Sequence, residues 1–162
     1  MKKGSIIDIF YALTILFIIS IALLIYVLIN ITMMGAFVTN FQNNTQMNAS
    51  IQKIQTAMTN TYNEFNYGFL FIYVAMLISI SVLDYFVDTH PLFLPLTIIV
   101  QIFSVFYSML LANIYWYFIN GSPQIQAIAN DFFVMTFIMK NLPFFDVLYI
   151  AIIDIVMYMK KR

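Results

Sequence analysis

The chain contains no cysteine, which excludes disulfide frameworks, thiolate metal sites and cysteine nucleophiles and leaves the redox compartment unreadable. Charge is nearly as scarce. Seven basic and seven acidic side chains make up 9% of 162 residues and cancel to a net charge of zero. A soluble domain needs about 25% charged residues to cover its surface. No basic stripe is present to neutralise phosphates, which argues against nucleic acid as a partner. Glycine and proline number four each, and there is no Gly-rich phosphate loop, HExxH or Gly-x-Ser-x-Gly. The expectation is a non-enzymatic protein with no catalytic residues, cofactor or metal site. His90, the one histidine, stands beside Pro91 and reads as a turn or interface residue rather than a ligand.

What the chain has in abundance is apolar surface: 63% of residues are hydrophobic and mean hydropathy is +0.92. Its solvent must be largely lipid. The first apolar run, 9–29, is relieved only by Thr14 and Ser20, and at 1.5 Å per residue it extends about 30 Å, enough to cross the hydrocarbon. Lys2 and Lys3 precede it, as in a signal peptide. The run nevertheless exceeds a cleavable core of roughly 7–15 residues, and no small-x-small site follows, so the helix is expected to be retained.

A second run, 67–87, ends near Asp84 and is followed by the turn Asp88-Thr89-His90-Pro91. The third, 92–119, is therefore expected to pack on the second as an antiparallel hairpin, with Pro95 tolerated in its first turn. The fourth, 144–159, is short, follows Pro143 and contains Asp146 and Asp154.

Two polar connections remain, 30–66 and 120–143. In the first, Met47, Ile51, Ile54, Met58 and Tyr62 share one helical face, with Asn48, Gln52, Gln55 and Thr59 opposite. That pattern suggests an amphipathic helix lying on the membrane or packed on a neighbour. In the second, Ser122 at an N-cap and Pro123 at the first helical position start a short helix towards residue 140. The sequence thus predicts one all-α domain, an integral membrane protein with four transmembrane helices and one or two amphipathic interfacial helices.

Five of the seven basic residues, Lys2, Lys3, Lys160, Lys161 and Arg162, lie at the two tips. The positive-inside rule holds both ends in the cytoplasm, which demands an even number of spans. The connections 30–66 and 120–143 then face outward.

Polar residues inside the apolar runs are the candidate site. Thr97, Gln101, Ser104 and Ser108 recur at spacings of four, three and four on one face of the third span. In lipid such a stripe turns inward and bonds across helices; Ser79 and Ser81 on the preceding span are available partners. A substrate path is the less favoured reading. Asp8, Asp84 and Asp154 fall near the inner ends of their spans and Asp146 near an outer end. A charged residue costs about 2.5–3.5 kcal/mol at the bilayer centre and less near an interface. Pairing with snorkelling Lys2, Lys3 or Lys160 is favoured over a cation or proton site. Tyr115-Trp116-Tyr117-Phe118 reads as an interfacial aromatic belt.

One longer pattern emerges: His90-Pro91 with Phe93, a long apolar run, Ala112-Asn113-x-Tyr115, then Asn141-Leu142-Pro143 and a last span ending in Tyr158 and basic residues. Over about residues 67–162 it resembles small multi-span membrane proteins encoded beside capsid genes. Those genes belong to tailless icosahedral viruses with an internal membrane and double jelly-roll capsids. Asp146 and Asp154 depart from that pattern. The resemblance implies a structural virion membrane protein without catalytic residues. Its partners would be the lipid bilayer and either further copies of itself or other membrane or capsid proteins. Its location would be the virion's internal membrane or the host cytoplasmic membrane. A small ion or proton channel or transporter subunit, and a holin-like lysis protein, are the alternatives.

Overall fold

The computed structural model describes residues 5–41, 45–86 and 94–160, and these form six α-helices with no strand among them. They are α1 (Ser5–Phe41), α2 (Thr45–Phe86), α3 (Leu94–Asn120), α4 (Pro123–Asp131), α5 (Phe133–Lys140) and α6 (Leu142–Lys160). Lipid offers backbone groups no water to bond, so helix is the one local structure that satisfies a single apolar segment. The side-chain hydroxyls in these runs follow the same logic. Thr14 donates to the Phe10 carbonyl at 2.7 Å and Ser20 to that of Phe17 at 2.7 Å, which hides each polar group within its own helix.

Three helices, α1, α2 and α3, are long and apolar enough to cross a membrane among the described residues. A fourth crossing follows if α5 and α6 are taken as one span, bent by 71° at their junction. The first two are longer than a bilayer requires. With 37 and 42 residues, they extend about 55 and 63 Å at 1.5 Å per residue, against roughly 30 Å of hydrocarbon. The excess is the Asn-, Gln- and Thr-rich stretch. Residues 30–66, expected to be a connection containing a separate amphipathic helix, instead continue both helices, apart from 42–44, which lie outside the described residues.

Asp8 to Ile15 of α1 lie beside Phe71 to Ile80 of α2, while Asn30 to Met34 lie beside Gln55 to Asn63; the two helices are therefore antiparallel. α1 packs on α2 and α3, and α6 packs on α2 and α3. The spatial order is a ring, α1–α2–α6–α3. The expected pairing of the second and third spans is thus not what forms: α2 and α3 are not a packed pair among the described residues. Helix α4 rests on α1 and α3, and α5 on α2 and α3, at the end where α3 finishes. Leu16, Leu24, Phe69, Tyr115, Met135, Met139 and Leu142 are fully enclosed. Of the expected aromatic belt, Trp116 and Tyr117 are exposed as anticipated, but Tyr115 turns into the core.

The expected helix from 123 to 140 is two helices, broken at Phe132 (φ −90, ψ 54). Ser122 and Pro123 do occupy the N-cap and first position of α4, although the Ser122 side chain makes no cap bond. The break is held from outside. The Asn66 side-chain oxygen, from α2, accepts the Met135 N–H at 3.1 Å and so caps the first turn of α5 across the bundle. Thr136 donates to the Ala129 carbonyl at 2.6 Å, and the buried Tyr115 hydroxyl lies 3.1 Å from the Thr136 oxygen. Since Thr136 spends its one proton on Ala129, Tyr115 is the donor to it.

Asn66→Leu therefore leaves a buried N–H without a partner, and unfolding in mild detergent should show a loss of about 1–3 kcal/mol. An unchanged melting profile would mean that the α5 N-terminus finds another acceptor and that the cap is incidental.

Candidate functional site

The third-span stripe faces the interior. Gln101, Ser104 and Ser108 are buried, and Thr97 is half-buried. Their expected partners, however, look elsewhere: Ser79 donates to the Ala75 carbonyl at 2.7 Å and Ser81 to that of Leu77 at 2.8 Å, each within α2. The reason is the ring order. It sets α6, not α2, against this face of α3.

Both carboxylates of α6 meet the stripe. Ser104 Oγ donates to Asp146 Oδ2 at 2.9 Å, and Gln101 Nε2 donates to Asp154 Oδ1 at 2.8 Å. The lower-numbered α3 residue meets the higher-numbered α6 residue, so the helices run antiparallel. Ser108 donates to the Val105 carbonyl at 2.9 Å and stands near the Asp146 carboxylate. On the other side of α3, Thr14 of α1 lies 2.8 Å from the Tyr107 hydroxyl. These are the bonds that distinguish one apolar helix face from another where hydrophobicity cannot, because lipid is as apolar as the core.

The two carboxylates differ in surroundings. Asp154 is exposed while its oxygen is held by Gln101. Asp146 is 3% exposed, and its Oδ1 has no hydrogen-bond partner among the described residues. It is the fifth residue of α6 and lies beside Ser104, in the middle third of α3. Its spacing explains the placement: Leu142, Asp146, Tyr149 and Ile153 recur at four, three and four, and all are buried. Asp146 thus occupies a core position of α6. The same periodicity that exposes the α3 stripe marks this row.

Asp8 is half-buried in a groove between α1 and α2. The Asp84 and Lys160 side chains, and with them His90, Lys2 and Lys3, lie outside the described residues. Asn66 and Thr136, whose polar atoms fix the α4–α5 break, carried no signal in the sequence beyond being polar and near a span end. Lys140 lies over the Trp116 ring, 4.7 Å from its centroid, a cation–π contact suited to an interfacial pair. No protein-family model, curated protein or solved structure matches the chain, so the geometry carries the functional reading.

Proposed function

We propose that this is a non-enzymatic structural membrane protein with four spans and cytoplasmic termini, a building element of a lipid-containing assembly. The observation that supports it is the use made of the buried polar groups. The stripe on α3 is engaged in tying α3 to α6, through Ser104 with Asp146 and Gln101 with Asp154, as expected of interhelical attachment rather than of a continuous polar path. Four spans follow from treating α5 and α6 as one bent crossing, which suits the basic residues at both tips. The long α1–α2 hairpin would extend out of the bilayer and meet further copies or other membrane or capsid proteins. The resemblance of residues 67–162 to small membrane proteins of internal-membrane viruses makes a virion's internal membrane the proposed location.

Two measurements test this. The protein should co-migrate with intact lipid-containing particles during flotation and resist extraction by salt. Liposomes containing the purified chain should leak protons and alkali ions no faster than protein-free vesicles. A selective, saturable flux that is lost on Asp154→Asn would overturn the structural assignment in favour of a transport subunit.

A further inference from the structure

Asp146 leaves one carboxylate oxygen, Oδ1, buried with no hydrogen-bond partner among the described residues. The residue borders a cavity of about 20 Å³ between α1, α2 and α6, together with Tyr73 of α2 and Tyr149 of α6. A volume of roughly 10–15 Å³ already admits one water-sized particle. Ala12, Met76 and Ile80 line this cavity and also line a groove of about 380 Å³ between α1 and α2. That groove carries Asp8, Tyr11 and Ser79 as its polar members. Three apolar side chains therefore form the partition between a buried carboxylate and a groove bearing a second one.

We propose that Asp146 is the anionic ligand of an exchangeable site for one small monovalent cation, a proton or Na⁺, entered from the α1–α2 groove past Ala12, Met76 and Ile80. A carboxylate taken out of water requires a compensating charge. The groups around this one are neutral hydroxyls: Ser104 and Ser108 on α3, Tyr73 on α2 and Tyr149 on α6. From α1 the cavity receives Ile9, Ala12, Leu13 and Leu16, and among the described residues no lysine, arginine or histidine lines it. The compensating charge must then come from solution. One carboxylate with hydroxyl oxygens matches a hard monovalent ion, and among the described residues no group of three His, Cys, Asp or Glu side chains is present to hold a transition metal.

Occupancy by a proton is its association with the carboxylate oxygen; replacement by Na⁺ releases that proton, so charge at the site is conserved. A site entered from one groove binds and releases without passing ions across. The inference thus goes beyond the structural assignment and is separable from it.

A hydrophobic carbodiimide is the probe. It adds across the O–H of a protonated carboxyl group to an O-acylisourea that rearranges to a stable N-acylurea, retaining the whole reagent. The full-length protein in liposomes should gain one reagent at Asp146, located by peptide mass mapping, and Asp146→Asn should lose it. The amide keeps an acceptor for Ser104, so this variant retains the α3–α6 contact. In the wild-type protein, labelling that declines with added NaCl at constant pH identifies the alkali ion. Labelling that declines only as pH rises identifies the proton alone. Ala12→Leu, which thickens the partition, should slow labelling in either case. Absence of label at Asp146 in folded protein whose Asp154 or Asp8 does react would overturn the site. So would labelling indifferent to both pH and Na⁺. Ion flux, by contrast, would refute the structural assignment and leave this site in place.

Discussion

Ser104→Ala should destabilise the folded bundle by about 1–3 kcal/mol, and the same substitution should cost almost nothing in an Asp146→Leu background. Interhelical hydrogen bonds in membranes average only about 0.6 kcal/mol, because a helix separated in lipid finds other partners for its polar groups. Ser104 should exceed that average for a specific reason. Its hydroxyl donates to Asp146 Oδ2 at 2.9 Å, while Oδ1 has no partner among the described residues. Removing it leaves a buried carboxylate with both oxygens undersatisfied, and truncating one member of a buried polar pair costs far more than removing both. Ser108 stands near the same carboxylate, and rotation of its hydroxyl would keep the loss towards the lower end of the range. Ser104→Ala with Ser108→Ala should reach the upper end.

Asp146→Leu removes the demand altogether. The Ser104 hydroxyl is then able to turn to a carbonyl of its own helix, as Ser20 and Ser79 do, and the side chain joins the apolar row of Leu142, Tyr149 and Ile153. Its stability should lie within about 1 kcal/mol of wild type. Reversible unfolding in mild detergent completes the double-mutant cycle. Equal costs of Ser104→Ala in the two backgrounds would show that the bond does not couple α3 to α6, and the attachment role of the stripe would fall.

The sequence made the long apolar helices plain and their arrangement obscure, for one physical reason. Lipid is as apolar as the core, so residues such as Ile98, Ile102, Phe103 and Phe106 are exposed while equally apolar Leu111 and Ile119 are buried. Hydrophobicity cannot rank these faces. Only polar residues mark the inward side, which is why Gln101, Ser104 and Ser108 were legible and their partner helix was not. The partner depends on the ring order, a non-local property that a short 88–91 turn seemed to decide in favour of α2.

The same locality hid two other features. Asn, Gln and Thr are indifferent helix formers, so 30–66 looked like a connection; packing of α1 on α2 makes most of it helix. The break at Phe132 has no glycine or proline within it. It is fixed by Asn66 and Tyr115 from other helices, whose contribution a reading of 123–140 alone does not contain.

A cysteine introduced at Gln52 or Gln126 should react almost completely with an impermeant thiol reagent added outside intact cells, while one at Lys161 should stay at background. The chain has no cysteine of its own, so every signal belongs to the introduced residue, and Gln52 and Gln126 are both exposed. The outcome turns on α5 and α6. At 19 residues, α6 is about 28 Å long, just short of the roughly 30 Å hydrocarbon. It reaches the far side only with help from α5, from which it departs at 71°. If the pair forms one bent crossing, Gln126 and Lys161 lie on opposite sides, and both basic tips share the cytoplasm with the lysines that precede α1. If α5 and α6 instead dip into the bilayer and return, Lys161 emerges on the side of Gln126 and both react. Permeabilised cells supply the control, since all three positions should then label. The measurement has to precede any particle assembly, because a protein shell over the membrane would shield Gln52 and Gln126 alike. Labelling of Lys161 in intact cells would reduce the count to three and place the C-terminal basic cluster outside. The proposed orientation would not survive that result, although the α3–α6 seam would.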